Sequence, residues 1–172
     1  MPLVKTQAEG INLADTFAFT GTLSGVGKIL QAVQIRSTTY QTTASTSYVN
    51  YTHSNATITP SSTSSKVLVL SSHNTEVYQN NSYSAQGRYV IYRGGSAVSE
   101  ENYIRHYDYG GSGHLGNTNT VINFLDSPSS TSSVLYQLYM KLVDGDGAGV
   151  ISGSITLLEV SAWQIYLNQY LL

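Results

Sequence analysis

The chain predicts an all-β fold, a jelly-roll sandwich of about eight strands preceded by an extended N-terminal arm. Three observations carry this. Val, Ile, Tyr and Thr gather in short runs, Ser, Gly, Asn and Pro separate those runs, and helical periodicity is nearly absent. At 172 residues the chain has the usual size of one domain and enough length to bury a core. It contains no cysteine, so no disulfide framework holds it.

Residues 1–27 read as an arm. Ile11, Leu13, Phe17 and Phe19 are apolar anchors, too few to make a core, and they suit packing on a partner or a neighbouring subunit. Residues 28–160 hold the strands. Ile29 to Ile35 comes first, with Ile29, Gln31, Val33 and Ile35 on one face. After the polar stretch Ser37 to Ser45 come Tyr48 to Tyr51 and Ala56 to Thr59, then a turn from Pro60 to Ser65. Lys66 to Ser71 carries the continuous apolar run Val67-Leu68-Val69-Leu70, expected in a central strand covered on both sides.

Arg88 to Tyr92 precedes a Gly94-Gly95 turn, and Ser99 to Tyr107 precedes a glycine-rich loop. Thr120 to Leu125 runs toward Pro128. In Ser133 to Val143, Tyr136, Leu138, Met140 and Leu142 should face the core, while Tyr139 points the other way, toward a neighbour. Asp144-Gly145-Asp146-Gly147 reads as a hairpin returning through Val150 to Val160. Residues 161–172 fit a strand or one face of a helix equally well. Trp163, Tyr166, Leu167 and Tyr170 make this segment apolar, and a subunit contact would cover it.

Eight Lys and Arg against ten Asp and Glu give a net charge of -2, and charged residues make up only 10% of the chain. Its polarity comes from 24 Ser and 18 Thr. The basic residues are scattered singly, so no nucleic-acid partner is expected. No apolar run is long enough for a membrane span, and Met1 to Gly10 lacks the apolar centre of an export signal.

No constellation points to catalysis, a metal or another cofactor. Asp144 and Asp146 begin like a calcium loop, but the later ligands do not follow. Glu100 and Glu101, as neighbours on a strand, would point to opposite faces and cannot share a substrate. His53, His73, His106 and His114 lack ligand spacing and read as surface histidines. Tyr103, Arg105, Tyr107 and Tyr109 alternate onto one strand face. Two readings stand for them, an aromatic platform for sugar rings or a packed subunit interface.

Gly10 to Thr22 followed by Gly27 to Gln34, the stretch Ala56 to Val69, and Ser154 to Val160 resemble the arm, strands and closing strand of virion structural proteins of aquatic, cyanophage-like tailed phages. That group carries a jelly-roll module similar to tumour necrosis factor heads. The resemblance implies a homotrimer, no catalytic residues, assembly in the host cytoplasm and a place in the virion among other tail, baseplate or capsid proteins. The expected role is a tail fibre taking part in host attachment through a cell-surface glycan. A trimeric capsid decoration protein is the first alternative and a secreted lectin-like module the second.

Overall fold

The computed structural model describes residues 28–80, 84–107 and 113–161, with side chains throughout except at His114. Their secondary structure is almost wholly strand, arranged as two antiparallel sheets packed face to face. The strands are β1 (Ile29–Ser37), β2 (Gln41–Thr43), β3 (Val49–Asn50), β4 (Ala56–Ile58), β5 (Lys66–Gln79), β6 (Ser84–Arg93), β7 (Ser96–Ala97), β8 (Asn102–Tyr107), β9 (His114–Asp126), β10 (Val134–Asp144) and β11 (Gly147–Val160).

One sheet runs β1-β11-β5-β9, with β2 beside β1 on the same partner, β11. The other places β3 and β4 on β10, β10 on β6, and β7 and β8 on β6. The pairings nest. β6 pairs with β8, β5 with β9, β3 and β4 with β10, and β1 with β11. The chain is thus one long antiparallel ribbon folded across itself, and counting the split strands once gives the eight positions of a jelly roll. Residues 1–27 and 162–172, with their expected anchors and C-terminal contacts, lie outside the described residues.

The core forms where the two inner faces meet. From one sheet come Val67, Val69, Val150, Ile155 and Leu157; from the other come Tyr89, Ile91, Tyr136, Leu138, Met140 and Leu142. The alternation expected for Tyr136 to Leu142 is present. β5 is central, between β11 and β9, but it is not covered on both sides: Val67 and Val69 are buried while Leu68 and Leu70 are half-buried on the outer face. In β1 a bulge between Ile29 and Gln31 sets Ile29 opposite Val160, which breaks the single face expected for Ile29, Gln31, Val33 and Ile35.

The Gly94-Gly95 turn closes a two-residue hairpin between β6 and β7, with both glycines at positive φ. The Asp144 to Gly147 turn is not a hairpin. Its flanking strands belong to different sheets, so it carries the chain across the sandwich. Gly145 supplies the positive φ of 96°, the Asp146 amide donates to the Tyr78 carbonyl at 3.0 Å, and the Asp146 carboxylate accepts the Asn80 amide. The Asp144 carboxylate accepts the Gly145 amide and the Ser84 hydroxyl. Both carboxylates therefore serve the turn, which glycine and aspartate make tight without fixing whether the strands pair.

β5, β6 and β9 extend well beyond the expected Ser71, Arg88 and Thr120; the added part of β5 buries the polar side chains of His73, Thr75, Glu76 and Gln79, and that of β6 buries Gln86. β8 is shorter than expected, since Ser99 to Glu101 lie outside it. Several buried polar groups are paired within the sandwich. His73, expected on the surface, is 1% exposed between the Ser54 and Ser71 hydroxyls, each 3.0 Å from a ring nitrogen. Thr75 meets Thr120 at 2.7 Å. Asp126 of one sheet accepts from Arg93 and Tyr136 of the other, a clamp across the layers.

Glu159 is 1% exposed and accepts from Gln31 Nε2 at 2.7 Å, the Ser61 amide at 2.7 Å and the Ser61 hydroxyl at 2.6 Å. Desolvation pushes its carboxyl up, but these donors and Ser65 outweigh that and hold it near about 2. It pins the Pro60 to Ser65 turn to β11.

Burial lowers the His73 pKa to about 4. A buried imidazole kept neutral stabilises the fold fully above its unfolded value near 6.5 and loses that contribution as pH falls through about 4, a loss of roughly 3 kcal/mol. The Glu159 contribution follows, present above its unfolded value and lost as pH falls toward about 2. Denaturant midpoints should therefore be flat from pH 7 to about 9, below the range where unfolded tyrosines ionise, fall between pH 6.5 and 4, and fall again below. His73→Asn should flatten the upper fall, and a midpoint constant from pH 7 to 4 contradicts this account. Gly153 lies opposite His73, and a Cβ there would sit 2.2 Å from the His73 ring. Gly153→Ala should cost about 1–3 kcal/mol in urea unfolding, the usual range for overpacking.

Candidate functional site

The outer face of the β6-containing sheet gathers five of the chain's 14 tyrosines with three of its eight Lys and Arg residues. Period-2 alternation turns Ser84, Gln86, Arg88, Val90 and Tyr92 of β6 outward, together with Gln137, Tyr139 and Lys141 of β10 and Tyr103, Arg105 and Tyr107 of β8. Register then sets Lys141, Arg88 and Tyr103 in one cross-strand row, Gln86 beside Arg105, and Ser84 beside Tyr107.

At one end the rings pack on each other. Tyr92 and Tyr139 stack at 4.0 Å, Tyr48 tilts against Tyr92 at 5.9 Å, and Lys141 Nζ lies 4.3 Å from the Tyr48 ring centre. Tyr139 thus meets Tyr92 of its own chain, where a contact with a neighbour was expected. The cluster covers Val90, which points outward yet is buried. Glu101 accepts the Tyr48 hydroxyl and Arg88 Nη1, the latter at 2.6 Å, with Lys141 Nζ at 3.9 Å.

These contacts set the protonation of the cluster. The Tyr48 hydroxyl, then Arg88, holds the Glu101 carboxyl below the usual carboxylate range, while burial and then Glu101 push the Tyr48 phenol up. Glu101 is an ionised acceptor already engaged by its neighbours, so this end is closed on itself, its rings packed together and its cations matched.

At the other end the rings are open. Tyr103 is 69% and Tyr107 58% exposed, with Arg105 between them. Arg105 donates through Nε and Nη2 to Gln86 Oε1 at 3.2 and 2.6 Å, and through Nη1 to the Tyr107 hydroxyl at 2.8 Å. Gln86 is only 6% exposed, so a buried amide fixes the guanidinium. Beside it a groove of about 440 Å³ opens between β8 and β9, lined by Tyr103 to His106 and by Gly116, Asn117 and Thr118. A Cβ at Gly116 would sit 2.8 Å from His106 Cβ, so glycine is what lets the two strands close on each other here.

The structure thus brings together Tyr103, Arg105 and Tyr107, as strand alternation implies. Tyr109 lies outside the described residues, as do Ile11, Leu13, Phe17, Phe19, Trp163, Tyr166, Leu167 and Tyr170. Tyr48, Arg88, Tyr92 and Lys141 join this face without having been singled out from the sequence, and Glu101 and Tyr139, which were noted there, join it without having been linked to it. Alternation within β6 and β10 was legible; that these strands are neighbours in one sheet, with β8 beside them, was not.

The second outer face is different. On the β5-containing sheet, Ala32, Leu158, Leu68 and Leu125 form one cross-strand row, Gln34, Thr156, Leu70 and Asn123 the next, and Arg36, Ser154, Ser72 and Val121 a third. Leu125 is 53% and Val121 47% exposed, and the three rows contain no acid. No protein-family model matches the chain and no curated protein sequence matches it, so the functional reading rests on these two faces.

Proposed function

We propose that the chain is a structural protein of a phage virion, a homotrimeric jelly roll that takes part in host attachment as a tail fibre. The observation that carries the reading is the contrast between the two outer faces. A mostly neutral, leucine-bearing sheet face with half-exposed side chains suits contact between copies of one chain, since apolar surface of this kind gains from leaving water. A face of tyrosine rings edged by fixed hydrogen-bond donors suits sugar rings.

A trimer of such modules points three copies of the tyrosine face outward, and three weak contacts become one firm attachment through effective concentration. Residues 1–27 would anchor the trimer to other virion proteins, and assembly would take place in the host cytoplasm. The jelly-roll frame and the hydroxyl-rich surface fit a protein that must hold shape outside the cell without disulfides.

Two measurements test this. Leu68→Glu with Leu125→Glu, both on the outer face, should convert the trimer to a folded monomer in light scattering, with strand content unchanged by circular dichroism. A trimer that survives both charges removes the assignment of that face. Quantitative mass spectrometry of purified particles should find a few tens of copies or fewer, lost on deletion of residues 1–27. Hundreds of copies per particle would instead make the chain a head decoration protein.

A further inference from the structure

We infer that Tyr103, Arg105 and Tyr107 form a subsite for an acidic sugar, a glycan residue bearing a carboxylate; this deepens the attachment reading and rests on it. The argument starts from donor arithmetic. A guanidinium carries five N–H donors. Gln86 accepts two of them, from Nε and Nη2, and the Tyr107 hydroxyl accepts one from Nη1. Two remain, one on each terminal nitrogen, a fork of donors for an incoming carboxylate to accept.

Charge points the same way. The other two cations of this face, Arg88 and Lys141, are matched by Glu101. Arg105 has no carboxylate within ion-pair distance among the described residues; its partners are a neutral amide and a neutral phenol. It is also held in advance, because Gln86 is buried and grips the guanidinium side-on, so little side-chain freedom is lost when a ligand arrives. A surface arginine that is fixed, exposed and unmatched in charge is complementary to an anion.

The rings say what kind of anion. Tyr103 and Tyr107 sit four residues apart on one face of β8, about 13 Å along the strand, with Arg105 midway. Arg105 Cζ lies 5.5 Å from the Tyr107 ring centre, which ties the charged and apolar parts of the surface together. Two open ring faces flanking a fork match a short run of sugar rings with one carboxylate between them, and the groove beside β8 leaves room for the chain to continue. A carboxylate on a peptide would use the fork but leave both ring faces idle.

The experiment uses the full chain in calorimetric titrations with three probes: alginate oligosaccharides, neutral malto-oligosaccharides of the same length, and poly-glutamate. Alginate should bind at least tenfold tighter than either other probe and weaken as salt rises. Arg105→Gln should lower alginate affinity at least tenfold and Arg105→Lys by less, since it keeps the charge and loses the fork. Tyr103→Ala, at an exposed position outside the core, should lower it severalfold at an unchanged melting temperature, which keeps the test valid should Arg105→Gln unsettle β8. The inference is overturned by equal binding of neutral sugar or poly-glutamate, by variants that bind as the parent does, or by an alginate that does not bind. If alginate fails while Tyr103→Ala still reduces retention of particles on cells, the acidic-sugar subsite falls and attachment stands. If retention is also indifferent to Tyr103, both fall.

Discussion

The pairing of β5 with β11 is the constraint on which the rest of the sandwich depends. From Gly147 beside Tyr78 to Val160 beside Lys66, these strands hold one another over nearly their whole length, and β1, β2 and β9 attach to their outer edges. The partners lie far apart in sequence, so loop-closure entropy must be overcome before either strand gains anything. Once formed, the ladder fixes which side chains face inward on both strands at the same time. Val69 then pairs with Leu157 on the core side, with Val67 opposite Glu159 and Ile155 opposite Ser71, while Leu68 and Leu158 are forced outward as a pair. The leucine row on the outer face is therefore a consequence of register and not a separate feature.

The same ladder explains why so polar a sequence makes a core at all. Between Val69 and Val77 the inward positions of β5 are Ser71, His73 and Thr75 rather than aliphatic residues; the His73 ring lies between the Ser54 and Ser71 hydroxyls, and Thr75 meets the Thr120 hydroxyl. A buried hydroxyl or imidazole without a partner costs about 1–3 kcal/mol, so this half of the interior holds only as a complete set. Glycine is the other half of the solution. Gly153 and Gly147 stand opposite His73 and Tyr78, where a side chain would occupy the space of the ring. Serine and glycine, which read from the sequence as loop residues, here make room for rings and close hydrogen bonds inside strands.

That double use marks the limit of what could be read in advance. The alternation Tyr136-Leu138-Met140-Leu142 was plain, since its contrast between inside and outside is apolar against polar. The stretch Ser72 to Gln79 carried little such contrast, because all its buried side chains but Val77 are themselves polar, and so the strand was cut short at Ser71. The Asp144 to Gly147 turn shows a second kind of limit. Its residues dictate a reversal with positive φ, which the structure has, but a reversal within a sheet and one between sheets use the same local chemistry. Only the partners of the flanking strands, β6 for β10 and β5 for β11, decide between them. For the candidate site, Tyr103, Arg105 and Tyr107 were legible as one face of one strand, while Gln86, which fixes the arginine, comes from a neighbouring strand that no local pattern could identify.

The two outer faces draw their difference from what the ribbon leaves for each. The β5-containing face is built from long strands whose outward residues set leucine and valine among mostly neutral Ser, Thr, Asn and Gln side chains, giving a surface with few charges to repel a copy of itself. The β6-containing face instead spends its aromatic residues twice. At the Tyr92 end they stack, cover Val90 and absorb the charges of Arg88, Lys141 and Glu101 into one closed set. At the β8 end, on an edge strand paired only through β6 among the described residues, the same residue types stand open, and the arginine is tied to neutral partners. A cluster that satisfies itself stabilises the sheet and asks nothing of a ligand; one held rigid with its charge unmatched does the opposite. The division lies within a single sheet, between neighbouring rows of one register, which is why the place to look for recognition is β8 and not the tyrosine-rich face as a whole.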